Sequence, residues 1–231
     1  MTRRIEFFFD FLSPYAYLAH CRLPTLADQY GYELVYKPFN MPAAKRAAGN
    51  TAPPAPALPV KFRYVSTDLR RWAQRYGVPL NMPWLVKSDA SLETLKQGIN
   101  VPTTGLDTTR ANKGMFHALD RGQGREYATR LWGGSYGAPG GLLVGSEELL
   151  IDVARQLGWS AEELLEFVQS GAAEQRYAEN TREAIGRGVF GAPTMIVDDQ
   201  MWWGNDRLAL LEDYLSAHPP RRDTPDGGSI C

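Results

Sequence analysis

The sequence is poor in the residues that announce chemistry on their own. Among its 231 residues are only two cysteines, Cys21 and Cys231, and three histidines. Two thiols so far apart, one of them in a Pro/Gly/Asp-rich stretch, exclude a disulfide framework, and no C-x-x-C is present for dithiol exchange. His20, His117 and His218 show neither H-x-x-x-H spacing nor a companion set of acidic or thiol ligands, so no metal is expected. An excess of positive charge is also missing. The chain carries 25 Lys and Arg against 26 Asp and Glu, with no basic stripe, so nucleic acid is not an expected partner. No apolar run approaches the roughly 18 to 20 residues that cross a bilayer, and MTRRIEFFFD has no signal-type hydrophobic region. No membrane association is expected, and the location expected is cytoplasmic. What remains is a globular composition, 44% hydrophobic, ample for a buried core.

The pattern along the chain reads as β-α-β, then helices, then β-β-α. Arg3 to Phe9 is short and aromatic, and Asp10 to Pro14 turns into a helix for which Ser13 and Pro14 supply N-cap and N1. Leu18, Ala19, Leu23, Leu26 and Ala27 predict one helix from Tyr15 to Tyr30, closed by Gly31. A strand follows at Glu33 to Pro38. Residues Met41 to Pro59, rich in Ala, Pro and Gly, read as an ordered loop or crossover. Beyond them Phe62, Val65, Leu69, Trp72 and Tyr76 lay an apolar stripe along a helix. Further helices fit Arg110 to Leu119, Glu126 to Trp132, Glu147 to Leu157, Ala161 to Gln169 and Glu174 to Ile185, and Ser160 with Glu163 spells a capping box. Gly133 to Gly145, with six glycines, reads as a loop. Strand character returns at Thr194 to Val197 and Met201 to Trp203 around Asp198 and Asp199, a hairpin, and Asn205 and Asp206 are candidate caps for a final helix. The expected organisation is a discontinuous α/β domain (1–58 and 188–218), an inserted helical domain (59–187) and a disordered tail (219–231).

Two spellings need their context. GRGVFG, Gly186 to Gly191, matches a dinucleotide fingerprint letter for letter, yet it follows a helix and precedes a strand, the reverse of what pyrophosphate binding requires. Ser13 is what any capped helix would use. The same hydroxyl, beside the unpaired N–H groups of a helix start, is also placed to favour an anion such as a thiolate.

Three segments together carry a resemblance: FDFLSPYAYLA (Phe9 to Ala19), YVSTDLRRWAQRYGVPL (Tyr64 to Leu80) and VFGAPTMIVDDQMWWGNDRL (Val189 to Leu208). The chain resembles the thioredoxin-like fold in its DsbA-like branch, an α/β fold with a large inserted α-helical domain. Within that branch it resembles the kappa-class glutathione transferases and, more closely, the 2-hydroxychromene-2-carboxylate isomerases. Where the branch often has C-x-x-C, this sequence has Ser13 and Ala16, so a dithiol role is lost. The resemblance implies glutathione as cofactor and Ser13 as the catalytic residue donating to its sulfur. It implies that Ala192 pairs its backbone with the cysteinyl portion before a cis Pro193, that Asn205 and Asp206 hold the γ-glutamyl end, and that Asn50 and Lys61 meet the peptide and its glycyl carboxylate. For the last two, an exposed loop residue and a solvated helix-start lysine remain an equal alternative. It also implies a homodimer.

The magnitudes permit this. A thiol with a pKa of about 8.5 is only about 3% ionised at pH 7, and lowering it by roughly two units takes about 2.7 kcal/mol. One charge-assisted hydrogen bond supplies about 1.5 to 3 kcal/mol and a helix N-terminus about 0.3 to 1. The implied reaction is cis-trans isomerisation of a small aromatic oxo-acid, interconverting 2-hydroxychromene-2-carboxylate and trans-o-hydroxybenzylidenepyruvate in naphthalene-type catabolism, with the thiolate adding to an activated C=C and leaving again. Among Trp84, Trp132, Trp202 and Trp203, the pair Trp202 and Trp203 is preferred for the substrate slot because it lies near Asn205. A kappa-like transferase and a non-catalytic glutathione-binding protein stay open as alternatives.

Overall fold

The computed structural model describes residues 3–52, 58–81 and 107–220. Trp84, Cys231 and the expected tail beyond Pro220 lie outside them. Four strands, β1 (Arg4–Phe9), β2 (Glu33–Pro38), β3 (Thr194–Val197) and β4 (Gln200–Trp203), form one mixed sheet in the order β2-β1-β3-β4. β1 runs parallel to β2 and antiparallel to β3, and β3 to β4 is the expected hairpin. Its turn places Asp198 and Asp199 at φ 48° and 63°, the left-handed pair that a two-residue hairpin needs. Tyr214 donates to Asp198 (3.0 Å) and Arg3 pairs with it (3.2 Å), which holds the turn.

Strand periodicity sorts the aromatic run of β1 onto two faces. Ile5, Phe7 and Phe9 enter the larger core with α1 (Pro14–His20), α2 (Leu23–Tyr30) and α10 (Leu208–Ala217). Phe8 turns the other way, into a smaller cluster with Phe39, Ile196 and Val189, against α3 (Met41–Ala47) through Ala44 and α9 (Gly171–Gly186) through Ala184. Between β2 and β3 the chain also forms α4 (Pro59–Tyr76), α5 (Thr109–Asp120), α6 (Gly124–Trp132), α7 (Glu147–Leu157) and α8 (Ala161–Gln169). The larger core is continuous across sheet and helices: Phe9 and Phe11 touch Trp132, and from there it runs through Tyr127 to Leu150 and Leu164.

Four expectations are corrected. The single helix from Tyr15 to Tyr30 is two, because Pro24 has no N–H to give and its ring would strike the carbonyl four residues back. Within the expected loop after Met41 lies α3, started by Asn40, whose Oδ1 accepts from Ala43 N (2.9 Å). Gly133–Gly137 is not loop but one π-helical turn continuing α6. Asn205 and Asp206 make no side-chain cap; they form a 3-10 turn, Asn205–Arg207, ahead of α10.

Candidate active site

The end of β1 delivers Ser13 to the start of α1. Ser13 is 5% exposed and adopts extended backbone geometry (φ −86°, ψ 112°), so its Oγ reaches forward and accepts from Ala16 N (3.3 Å). The same oxygen donates its proton across the fold to Ala192 O (3.1 Å). Ala192–Pro193 is a cis peptide, and Gly204 N donates to Pro193 O (2.9 Å). The strand-to-helix turn, the cis-proline turn and the turn before α10 therefore meet at one point. The Ala192 N–H makes no backbone hydrogen bond among the described residues. An extended peptide backbone laid beside Ala192 would have a donor to use there.

Asn205 is buried beside this point. Its carbonyl accepts from the Tyr76 hydroxyl (3.2 Å), while its side-chain Nδ2 is buried with no partner among the described residues. A buried amide donor left unbonded costs about 1–3 kcal/mol. A bound acceptor at this position would remove that cost. Asp206 is exposed and paired with Arg207 (2.8 Å). It folds over Gly204, where a Cβ would lie 2.3 Å from its Oδ1, and Gly204 sits at φ 111°. Tyr15, next to Ser13 and Pro14, donates to Asp68 Oδ2 (2.9 Å). Burial first, then Asp68, pushes the Tyr15 hydroxyl far above its ordinary range, so it remains a donor.

Asn50 and Lys61 come from the segment that follows β2. Both are exposed, Asn50 just past α3 and Lys61 in the first turn of α4. Asn50 N bonds the carbonyl of Lys45 (2.9 Å), and Lys45 in turn feels the charge of Lys61, which after burial is the larger cause that lowers the Lys45 ammonium. Lys45 is a basic residue that sequence reasoning did not single out. Trp202 and Trp203 are not brought together. Successive residues of β4 face opposite sides of the sheet, so Trp202 packs on Tyr214 (5.0 Å) above α10 while Trp203 packs on Phe190 (4.8 Å) over Gly191. Trp203, 51% exposed, is the one on the cis-proline side. A Cβ at Gly191 would lie 2.6 Å from its Nε1, so glycine there lets the indole lie flat on the turn.

The protein's own described thiol is a poor nucleophile. Burial raises Cys21 to about 11, only partly offset by a hydrogen bond with Tyr17. At neutral pH about one molecule in ten thousand would carry the thiolate.

The sequence comparisons agree with this geometry. The family described as DSBA-like thioredoxin domain matches residues 4–216. The chain is 38% identical over 211 residues to a 2-hydroxychromene-2-carboxylate isomerase of Pseudomonas putida, covering 91% of this chain and 93% of the relative. It is 28% identical to glutathione S-transferase kappa 2 of Caenorhabditis elegans, covering 92% and 91%. Among solved structures, a 2-hydroxychromene-2-carboxylate isomerase superposes with a TM-score of 0.78 at 37% identity, over 92% of this chain and 94% of that one. A serine where a dithiol fold would keep its nucleophile, a cis-proline turn facing it and identity of this extent place the chain in the DSBA-like thioredoxin family, in its 2-hydroxychromene-2-carboxylate isomerase branch.

Proposed function

We propose that the protein is a glutathione-dependent isomerase that interconverts 2-hydroxychromene-2-carboxylate and trans-o-hydroxybenzylidenepyruvate. The observation that carries this reading is the Ser13 hydroxyl, 3.1 Å from the carbonyl before the cis-proline, in a chain whose own described thiol is held in its neutral form. The Ala192 N–H and the Asn205 amide, neither with a partner among the described residues, fit a short peptide lying along the cis-proline turn. Ala192 would pair with the cysteinyl backbone, Asn205 and Asp206 would take the γ-glutamyl end, and Lys61 with Asn50 would meet the glycyl carboxylate. When bound, glutathione supplies a thiolate that adds reversibly to the activated double bond, leaving a single bond free to rotate.

The contribution of the chain is electrostatic and geometric. Ser13 Oγ already accepts from Ala16 N, and that bond polarises its own O–H. The proton now given to a neutral carbonyl would turn toward an anionic sulfur, because charge-assisted hydrogen bonds are about twice as strong as neutral ones. α1 has seven residues, so its dipole adds little, and the hydroxyl provides the larger share. On the outer side Trp203 and Phe190 offer an aromatic wall beside the same turn for a flat substrate.

The test is turnover by the dialysed protein with and without added glutathione. Isomerisation should require the thiol and leave its concentration unchanged, and Ser13→Ala should lower the rate about tenfold to a hundredfold, the effect of losing about 1.5 to 3 kcal/mol of anion stabilisation. Full activity without any thiol would overturn the reading. Net consumption of glutathione would point instead to conjugation, the chemistry named for the kappa relatives.

A further inference from the structure

The segment that delivers Ser13 is held far more tightly than a cap requires. Asp10, 2% exposed, directly follows the Phe7–Phe9 run that ends β1. Its Oδ1 accepts from Leu12 N (3.0 Å), from the Thr108 hydroxyl and from Asn112 Nδ2 (3.1 Å), and its Oδ2 accepts from Met41 N (3.2 Å). Its backbone carbonyl accepts from Ser13 N (2.9 Å). Asn112, fully buried in α5, turns its remaining groups to the same segment and its surroundings. Its Oδ1 accepts from Phe11 N (3.1 Å), and Nδ2 also reaches the Tyr177 hydroxyl (3.1 Å).

The carbonyls of the turn are gripped from another element. Trp132 Nε1 donates to Phe11 O (3.2 Å), and the Tyr136 hydroxyl is shared between Phe11 O (3.1 Å) and Leu12 O (3.2 Å). Burial, reinforced by the Asp10 carboxylate, raises the Tyr136 hydroxyl, so it stays a donor. Tyr136 stands in the π-helical turn 133–137, the glycine-rich stretch for which the proposed chemistry has no other use. That turn closes only because Gly141 has no Cβ; one there would lie 2.2 Å from Ser135 O. Every backbone polar group from Phe11 through Leu12 is thus bonded to a side chain, and most of those side chains come from the helices.

We propose that Asp10, Asn112 and Tyr136 are positioning residues that fix the 10–13 turn and thereby aim the Ser13 hydroxyl at the sulfur. This rests on the reading of Ser13 given above. The argument is one of precision. A cap tolerates a hydroxyl that swings, whereas orientation toward a reacting atom does not, since a misplacement of about 1 Å can cost about a hundredfold in rate.

The main test is Tyr136→Phe, which keeps size and charge and removes one hydroxyl. Three quantities are measured: amide hydrogen exchange of Leu12 and Ser13 in the protein without glutathione, the thiol pKa of bound glutathione from thiolate absorbance against pH, and steady-state kinetics. The expected result is faster exchange at both amides, a thiol pKa raised by up to about one unit and a kcat about tenfold lower with substrate KM little changed, one unit being a factor of ten. In a Ser13→Ala background the same change should leave the thiol pKa where Ser13→Ala alone puts it. Asp10→Asn is the second variant: an amide in place of the carboxylate sets an NH2 against the Met41 N–H, and it should act in the same direction. A purely structural role would lower melting temperature and leave the bound thiol's pKa alone, and that result overturns the proposal. So does a shift in thiol pKa that persists undiminished without the Ser13 hydroxyl. Failure of the underlying reading shows separately, as a Ser13→Ala protein whose bound thiol titrates as in the parent.

Discussion

At the scale of single residues, the buried polar groups are the informative ones, and His20 gives a sharp case. Thr129 spends its proton on Arg125 O (2.8 Å), so it accepts from His20 Nε2 (2.9 Å), and Nδ1 accepts from the Tyr36 hydroxyl (3.2 Å). Both ring nitrogens are satisfied in the neutral form. Burial, then the charge of Arg125, pushes His20 down to about 3. In the unfolded chain it titrates at about 6.5, so below that pH the unfolded state binds the proton that the folded state refuses, and stability falls as pH falls. Between pH 7 and 5 the loss from this residue should be about 2 kcal/mol. Urea unfolding of the parent and of His20→Gln across that range checks it: the variant should show a flatter profile, and parallel profiles would contradict the assignment. No sequence pattern marks such a histidine, because its partners lie on other elements. Asp10, which the sequence marks only as the start of a turn, is a similar case: it stands between Phe9 and Phe11, and nothing local says that Thr108 and Asn112 supply its donors.

At the scale of elements, what could be read depended on whether the signal was local. α7 and α8 match the expected bounds because an apolar stripe and a serine cap coincide: Ser146 Oγ accepts from Leu149 N (3.3 Å) and Ser160 Oγ from Glu163 N (3.2 Å). The expected capping box is half made, with Glu163 directed to Arg121 (3.5 Å) instead of back to the cap. α3 escaped notice because it buries a single residue, Ala44, and so has no stripe to detect. The π-helical turn escaped because six glycines look like loop until Leu142 N finds Gly134 O (3.1 Å) across it. The junction between α8 and α9 rests on Ser170, whose Oγ donates to Phe167 O (2.7 Å) and accepts from Ala173 N (3.2 Å). One hydroxyl ends a helix and starts the next, so Ser170→Ala should cost about 1 to 2 kcal/mol, at the upper end for a cap. Chemical denaturation measures it, and amide exchange should quicken first at Ala173.

At the scale of the molecule, the sequence separated a sheet from a helical block, and the packing joins them through aromatic side chains. Trp132, fully buried at the end of α6, lies 4.6 Å from Phe11 and 5.4 Å from Phe9 between ring centroids, 5.1 Å from His20 and 6.4 Å from Tyr17, and its Nε1 bonds Phe11 O. One side chain from the helices therefore touches the last strand residue, the Ser13 turn and α1. The same side chain that joins the core also holds the turn that carries Ser13, so loosening the helices at Trp132 would release that turn. Trp132→Ala should lower stability by about 3 to 5 kcal/mol, the cost of a large aromatic cavity. Unfolding of the parent, followed in urea by far-UV circular dichroism for the helices and by near-UV dichroism for the aromatic core, should give coincident transitions, because among the described residues one apolar cluster runs through both sheet and helices. Two separated transitions, with the helical signal surviving the loss of the aromatic one, would mean that the helices keep a core of their own and that Trp132 is a contact between domains instead of the centre of one.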